Sequence, residues 1–144
     1  MAALRRRRPA PRRRRALGLR PRALNERAAT GAAHEAAALA MLQDAGLRLL
    51  ARNVRCRVGE IDLVLREGRT TVFCEVRYRR SGSHGGAAAS VDARKQIRLT
   101  NAARWYLSRH PALAREPCRF DVVAIEGAAP YRVDWLRDAF QPDN

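Results

Sequence analysis

The sequence predicts an α/β protein, a mixed β-sheet flanked by helices. Three observations carry this: a helical apolar stripe that ends at Gly46, three strand-like runs between residues 47 and 76, and a second helical stripe followed by two more extended segments. Strands joined by tight turns make a meander, and a helix inserted before the next strand covers a sheet face. The predicted order is α-β-β-β-α-β-β, without internal repeats.

The first helix spans Gly31 to Ala45, rich in Ala and Leu, with Gly46 as its C-cap. Leu39 and Leu42 mark its buried stripe, and one helical turn before Leu39 stands Glu35, a carboxylate on the apolar side. Leu47 to Val54, Glu60 to Leu65 and Thr70 to Val76 are the three strands, with Glu67-Gly68 as the turn between the last two. Residues 78 to 90 lack apolar periodicity and carry three Gly, which predicts a mobile loop, with Ser90 as N-cap of the next helix. That helix runs from Val91 to Arg109 on the stripe Leu99, Ala102, Ala103, Tyr106 and Leu107, and Pro111 ends the pattern. Run backwards, the stripe reaches Lys95 and Gln96, so both are expected to point inward near the helix N-terminus. Arg119 to Ile125 is a strand, Tyr131 to Asp134 an edge strand, and Trp135 to Phe140 a short terminal helix.

A chain of 144 residues allows one domain and a tail, and its charge shows where to divide them. Residues 1–27 hold 11 Arg and a single acid for a net +10, whereas the rest carries only +5 of the total +15. Like charges with few large apolar groups do not collapse, so 1–27 is expected to be a disordered Arg-rich arm preceding a domain at 28–144. Two readings of the arm stand side by side: a tether that neutralises DNA or RNA phosphates without reading sequence, with a steep salt dependence, or an extension without a role. Lipid insertion is disfavoured, because the arm offers almost no large apolar side chains.

No apolar run approaches the roughly 18 residues of a membrane span, and no apolar segment near the N-terminus marks a secretory signal. Cys56, Cys74 and Cys118 are odd in number, far apart and set in apolar stretches, so they are expected to be reduced core residues of a cytoplasmic protein. His34, His84 and His110 share no helical spacing that would put two of them on one metal. Among all the basic residues only Lys95 is a lysine. It is either there by chance or marks a place where Arg would not serve.

Two further carboxylates fall where a core is expected. In Gly59-Glu60-Ile61-Asp62-Leu63-Val64-Leu65 the strand period puts Ile61, Leu63 and Leu65 on one face and Glu60, Asp62 and Val64 on the other. Phe73, Glu75 and Arg77 likewise share a face, and the hairpin brings Asp62 beside Glu75. Adjacent buried acids repel unless a cation lies between them. Hard oxygen ligands in this number suit Mg²⁺ or Mn²⁺, which take one or two carboxylates together with a substrate phosphate. In a basic protein such a pair points to phosphodiester chemistry. The competing reading is that Arg77, or Arg55 and Arg57 on the neighbouring strand, neutralises the acids as plain structure. Glu60 opens its strand and is the weaker candidate ligand.

Taken in order, these segments resemble the YraN family, nuclease-like proteins of the PD-(D/E)XK superfamily that are similar in fold to Holliday-junction resolvases. The resemblance covers roughly residues 28–140. It runs through Gly31 to Glu35, Arg52-Asn53, Gly59 to Leu63, Phe73-Cys74-Glu75-Val76-Arg77, Ala93-Arg94-Lys95-Gln96, Arg119 to Val123 and Trp135 to Phe140. It implies a restriction-endonuclease-like three-layer fold and Mg²⁺- or Mn²⁺-dependent hydrolysis of DNA. Asp62 and Glu75 would be the metal-binding acids, Glu35 a supporting helical acid, and Lys95 and Gln96 would flank the site.

One departure is informative: the family's Glu-x-Lys reads Glu75-Val76-Arg77 here. An arginine stays protonated, so Arg77 neutralises phosphate charge but does not act as a base. Either a metal suffices to activate water, or Lys95 supplies the ammonium, or the position needs only positive charge. The alternative function is a nucleic-acid-binding protein of nuclease fold with weak or no activity. Arg79, Arg80 and Lys95 are the expected nucleic-acid contacts, with the 78–90 loop closing over the strand. Related resolvases are dimeric, but no apolar interface patch is visible, so a monomer or weak dimer is expected.

Overall fold

The computed structural model describes residues 21–80 and 91–142. Most of the Arg-rich arm, most of the 78–90 loop and Ser90 therefore lie outside the described residues. The chain forms α1 (Pro21–Asp44), β1 (Arg48–Cys56), β2 (Gly59–Glu67), β3 (Thr70–Arg79), α2 (Ala93–Ser108), the one-turn α3 (Pro111–Ala114), β4 (Cys118–Glu126) and β5 (Arg132–Phe140).

The five strands lie in one sheet in chain order, antiparallel except for β3 and β4, which run parallel. A parallel pair needs a crossover, and α2 supplies it. Side-chain alternation then separates two cores. Leu63, Leu65, Val72, Cys74, Val123 and Ile125 meet Ala38, Leu39 and Leu42 of α1 on one face. Val64, Phe73, Phe120 and Val122 meet Leu99, Ala102, Ala103 and Tyr106 of α2 on the other. Helices thus cover both faces, as the sequence order predicts. No helix among the described residues is long and apolar enough to cross a membrane.

Several boundaries differ from the sequence expectation. The first helix starts at Pro21, ahead of Gly31 and inside the segment expected to be a disordered arm. Strand β3 continues through Arg79 along its ladder with β4, so Tyr78 and Arg79 belong to the sheet and not to a loop. The N-cap of α2 is Asp92, whose carboxylate accepts the Lys95 N–H at 2.8 Å. Pro111 not only follows α2 but opens α3 at its first turn.

The expected terminal helix is instead the second half of β5, paired antiparallel with β4. Its register slips between Val122–Leu136 and Phe120–Phe140, where Asp138 takes φ +50°. This bulge turns Leu136, Ala139 and Phe140 all toward the α2-side core. Apolar residues at i, i+3 and i+4 on a bulged strand imitate a helical stripe. Asp121 pins the bulge: its Oδ1 accepts the Asp138 N–H at 2.9 Å and its Oδ2 the Trp135 Nε1–H at 3.0 Å.

Two core assignments change as well. Ile61 packs with Val64 on the α2 side and not with Leu63 and Leu65. Of the three thiols, all free, only Cys74 is buried; Cys56 is half-buried, and Cys118 is exposed because it opens β4 at the end of the sheet.

Candidate functional site

The sheet departs from regularity on both sides of Asp62. The β1–β2 ladder skips the Asn53–Asp62 position, where Asn53 adopts φ +49°, a conformation that Asn tolerates better than most residues. The β2–β3 ladder stops at Leu63–Cys74, one pair short of Asp62 and Glu75. Where the strands part, the Asp62 carboxylate takes over a backbone role and accepts the Val76 N–H at 2.8 Å.

Glu75 stands opposite Asp62 and is 4% exposed. The two carboxyl groups face each other where the strands part, close enough that the charge of Asp62 acts on Glu75. Burial, then the charge of Asp62, pushes the Glu75 pKa up to about 7, against the opposing pull of Lys95. Burial also raises Asp62, against the Val76 N–H.

Two cations reach the same oxygen of Glu75, Lys95 Nζ at 3.2 Å from Oε1 and Arg77 Nη1 at 3.8 Å. The α2 helix brings Lys95 there because Gly59, at the start of β2, lets the helix backbone approach. A Cβ on Gly59 would lie 2.4 Å from the Arg98 carbonyl oxygen. Beside the acids opens a cleft of about 210 Å³ lined by Arg77, Asp92, Arg94, Lys95 and Arg98.

The structure thus brings together Asp62, Glu75, Arg77 and Lys95, as the sequence predicts. Glu35 adjoins them through β1. Its Oε1 accepts from Arg52 Nε at 3.3 Å and Asn53 Nδ2 at 3.2 Å, so it anchors the β1 irregularity opposite Asp62. Gln96 donates from Nε2 to the Val91 carbonyl at 3.0 Å and ties down the entry to α2. Arg79 closes β3, and Arg80 follows it, exposed. Arg55 pairs with Glu60 at 3.3 Å and not with Asp62 or Glu75. Among the described residues no cluster of three His, Cys, Asp or Glu is close enough to share a metal. Sequence reasoning passed over Asn53 as a structural hinge and Arg94 and Arg98 as partners of Lys95. The signal for the arginines was their spacing, one helical turn apart around the only lysine.

A five-stranded mixed sheet with helices on both faces, and a buried Glu75 facing a half-buried Asp62 beside two cations, define the class, an α/β protein organised around a charged cleft. The chain belongs to the family described as Uncharacterised protein family UPF0102, the YraN family, whose model matches residues 34–125. That span includes Glu35, Asp62, Glu75, Arg77, Lys95 and Gln96. A UPF0102 protein of Xanthomonas campestris pv. campestris (strain B100) is 57% identical over 114 residues, 79% of this chain and 93% of the relative. Similar proteins occur in Xylella fastidiosa (strain M12), 56% identical over 79% of this chain and 93% of the relative. Another is that of Stutzerimonas stutzeri (strain A1501), 50% identical over 82% of this chain and 99% of the relative.

Proposed function

We propose that this protein is a divalent-metal-dependent endonuclease of restriction-endonuclease-like fold, acting on DNA in branched or single-stranded form. The observation that carries the reading is the Asp62–Glu75 pair, two opposed carboxylates at a parting of the sheet with Lys95 Nζ 3.2 Å from Glu75. Such a pair fits Mg²⁺ or Mn²⁺, because hard anionic oxygens already face each other and a cation between them would offset their repulsion. Asp62 and Glu75 would hold the metal. When bound, it supplies a lowered pKa for a coordinated water and neutralises charge on the scissile phosphate.

The chain's own groups do the rest. Lys95 sets a proton-bearing ammonium at the rim of the acid pair, where it orients water and opposes developing negative charge. Arg77, permanently charged, pairs with a phosphate oxygen and fixes its position. Glu35 acts through Asn53 and Arg52, holding β1 where Asp62 needs the ladder to break. The Arg-rich segment at 1–20 adds a phosphate tether. Three free thiols suit a reducing cytoplasm.

The test is titration of Mg²⁺ and Mn²⁺ by calorimetry into wild type and Asp62→Asn, with cleavage assays on branched, single-stranded and duplex DNA. Metal binding and cutting that are both lost in the variant are the expected result. A second reading, a binding protein of nuclease fold, draws on Arg77 standing where the family has lysine. It requires that Asp62→Asn leave DNA affinity intact, that wild type never cut, and that deleting residues 1–20 remove most of the affinity.

A further inference from the structure

Cations border the acid pair on two sides, and the sides differ in whether those cations are already engaged. Along β1, Glu35 holds Arg52 at 3.3 Å and Glu60 holds Arg55 at 3.3 Å. Each of these charges is neutralised in place. Along the first two turns of α2, Arg94 and Arg98 are exposed and pair with no carboxylate among the described residues. Four residues apart, they lie on one face of the helix, where like charges oppose each other. Both line the cleft that also contains Arg77 and Lys95. Its one acid, Asp92, is occupied as the N-cap, accepting the Lys95 N–H at 2.8 Å. Three guanidinium groups and an ammonium therefore converge on a space with a single carboxylate. The two cations that line the cleft nearest the acids, Arg77 and Lys95, are the ones that touch Glu75. An anion seated in the cleft is consequently a neighbour of whatever the acid pair holds.

We infer that Arg94 and Arg98 seat the phosphodiester group next to the one presented to Asp62 and Glu75. The nucleic-acid strand then leaves the acid pair across α2 and not across β1. This rests on the nuclease reading and gives it a direction. The two arginines bind and do not take part in the chemistry.

The experiment is equilibrium binding of a fluorescently labelled single-stranded DNA oligonucleotide to the full-length protein in EDTA, over a range of salt concentrations. Wild type is compared with the double variant Arg94→Gln/Arg98→Gln, with Arg55→Gln on the β1 flank, and with Arg69→Gln/Arg115→Gln, which removes the same charge as the α2 variant at the far end of the sheet. Gln keeps helix propensity, and thermal melts confirm that each variant folds. Losing two phosphate contacts is expected to flatten the slope of log K against log salt by about 1.4 and to weaken low-salt binding at least about tenfold. The other two variants should change affinity by less than about threefold, because their arginines either stay away from the strand or are already neutralised. If the α2 variant behaves like the far-end control while wild type still cuts DNA, the seat is wrong and the nuclease reading stands. A larger loss in the β1 variant reverses the direction and overturns the inference. If wild type binds no DNA at all, both readings fall together.

Discussion

Glu75 gives the sharpest physical test. Its carboxyl titrates near 7 in the folded protein against 4.5 for the free side chain, chiefly because it is buried and then because Asp62 faces it. A raised acid binds its proton more tightly in the folded chain than in the unfolded one. The linked stability is therefore complete below about 4.5 and is lost as pH rises through about 7. The size of this loss, from the difference between the two values, is on the order of 3 kcal/mol. That is a large share of the stability of a domain of this size.

Glu75→Gln keeps the shape and removes the titration. In urea denaturation at about pH 5 and about pH 8, both in EDTA, wild type should lose stability toward the higher pH relative to the variant. At the higher pH the variant should be the more stable of the two. Millimolar Mg²⁺ should then return most of the lost stability to wild type and little to Glu75→Gln, since a bound cation stabilises only the state that binds it. A gap between the two proteins that does not change with pH, or that widens in favour of wild type at high pH, refutes this account of the acid pair.

Three other outcomes follow from the same geometry. Lys95→Met should lower cleavage by about 10²–10³-fold if the ammonium beside Glu75 opposes charge in the transition state. Arg77→Lys should stay within a few fold of wild type, and kcat on an oligonucleotide substrate separates the two. Asp121→Ala removes a buried carboxylate that accepts from Arg119 Nε at 2.9 Å, Arg119 Nη2 at 3.1 Å, Trp135 and the Asp138 N–H. The expected cost is about 3–5 kcal/mol in chemical denaturation, because the Arg119 charge is left partly buried without its main partner. Gly59→Ala forces a Cβ against the Arg98 carbonyl, so it should cost about 1–3 kcal/mol and reduce cleavage along with stability, since α2 carries Lys95 away from Glu75.

The acid pair was legible because a tight hairpin and a period of two leave little freedom in where Asp62 and Glu75 meet. Helix faces were legible for the same kind of reason: Leu39, Leu42, Leu99 and Tyr106 are buried where the 3.6-residue repeat puts them. What failed was everything that depended on a break in regular structure. The bulge at Asp138 gave a strand the spacing of a helix, and Ile61 packs on the α2 side although the period of two assigns it to the face of Leu63. The bulge leaves no local mark, because Asp121 on β4 fixes it from a distance, as Glu35 on α1 holds Asn53. Glu35 shows how a correct position can carry an incomplete role. Its side of the helix was read correctly, but its partners lie 17 and 18 residues away on β1.

The reading of Asp62 and Glu75 as plain structural acids can be weighed against a carboxylate in the same protein that is one. Glu67 receives Arg119 Nη1 at 2.6 Å and Arg137 Nη2 at 2.7 Å, and these bonds, that from Arg119 foremost, hold its carboxyl below the usual range. That is what a structural ion pair does: it makes the charged form the comfortable one. Glu75 also has two cations, yet it moves the other way. Its cations stand at 3.2 and 3.8 Å, share one oxygen and are both over a third exposed, so they do not offset the burial of two acids side by side. A sheet that opens to admit an acid pair, and surrounds it with charges too weakly placed to neutralise it, has left unmet a demand for positive charge between the carboxylates. On the proposed reading a divalent cation would meet that demand, because its charge would lie between the two carboxylates and not at the rim where Lys95 and Arg77 stand.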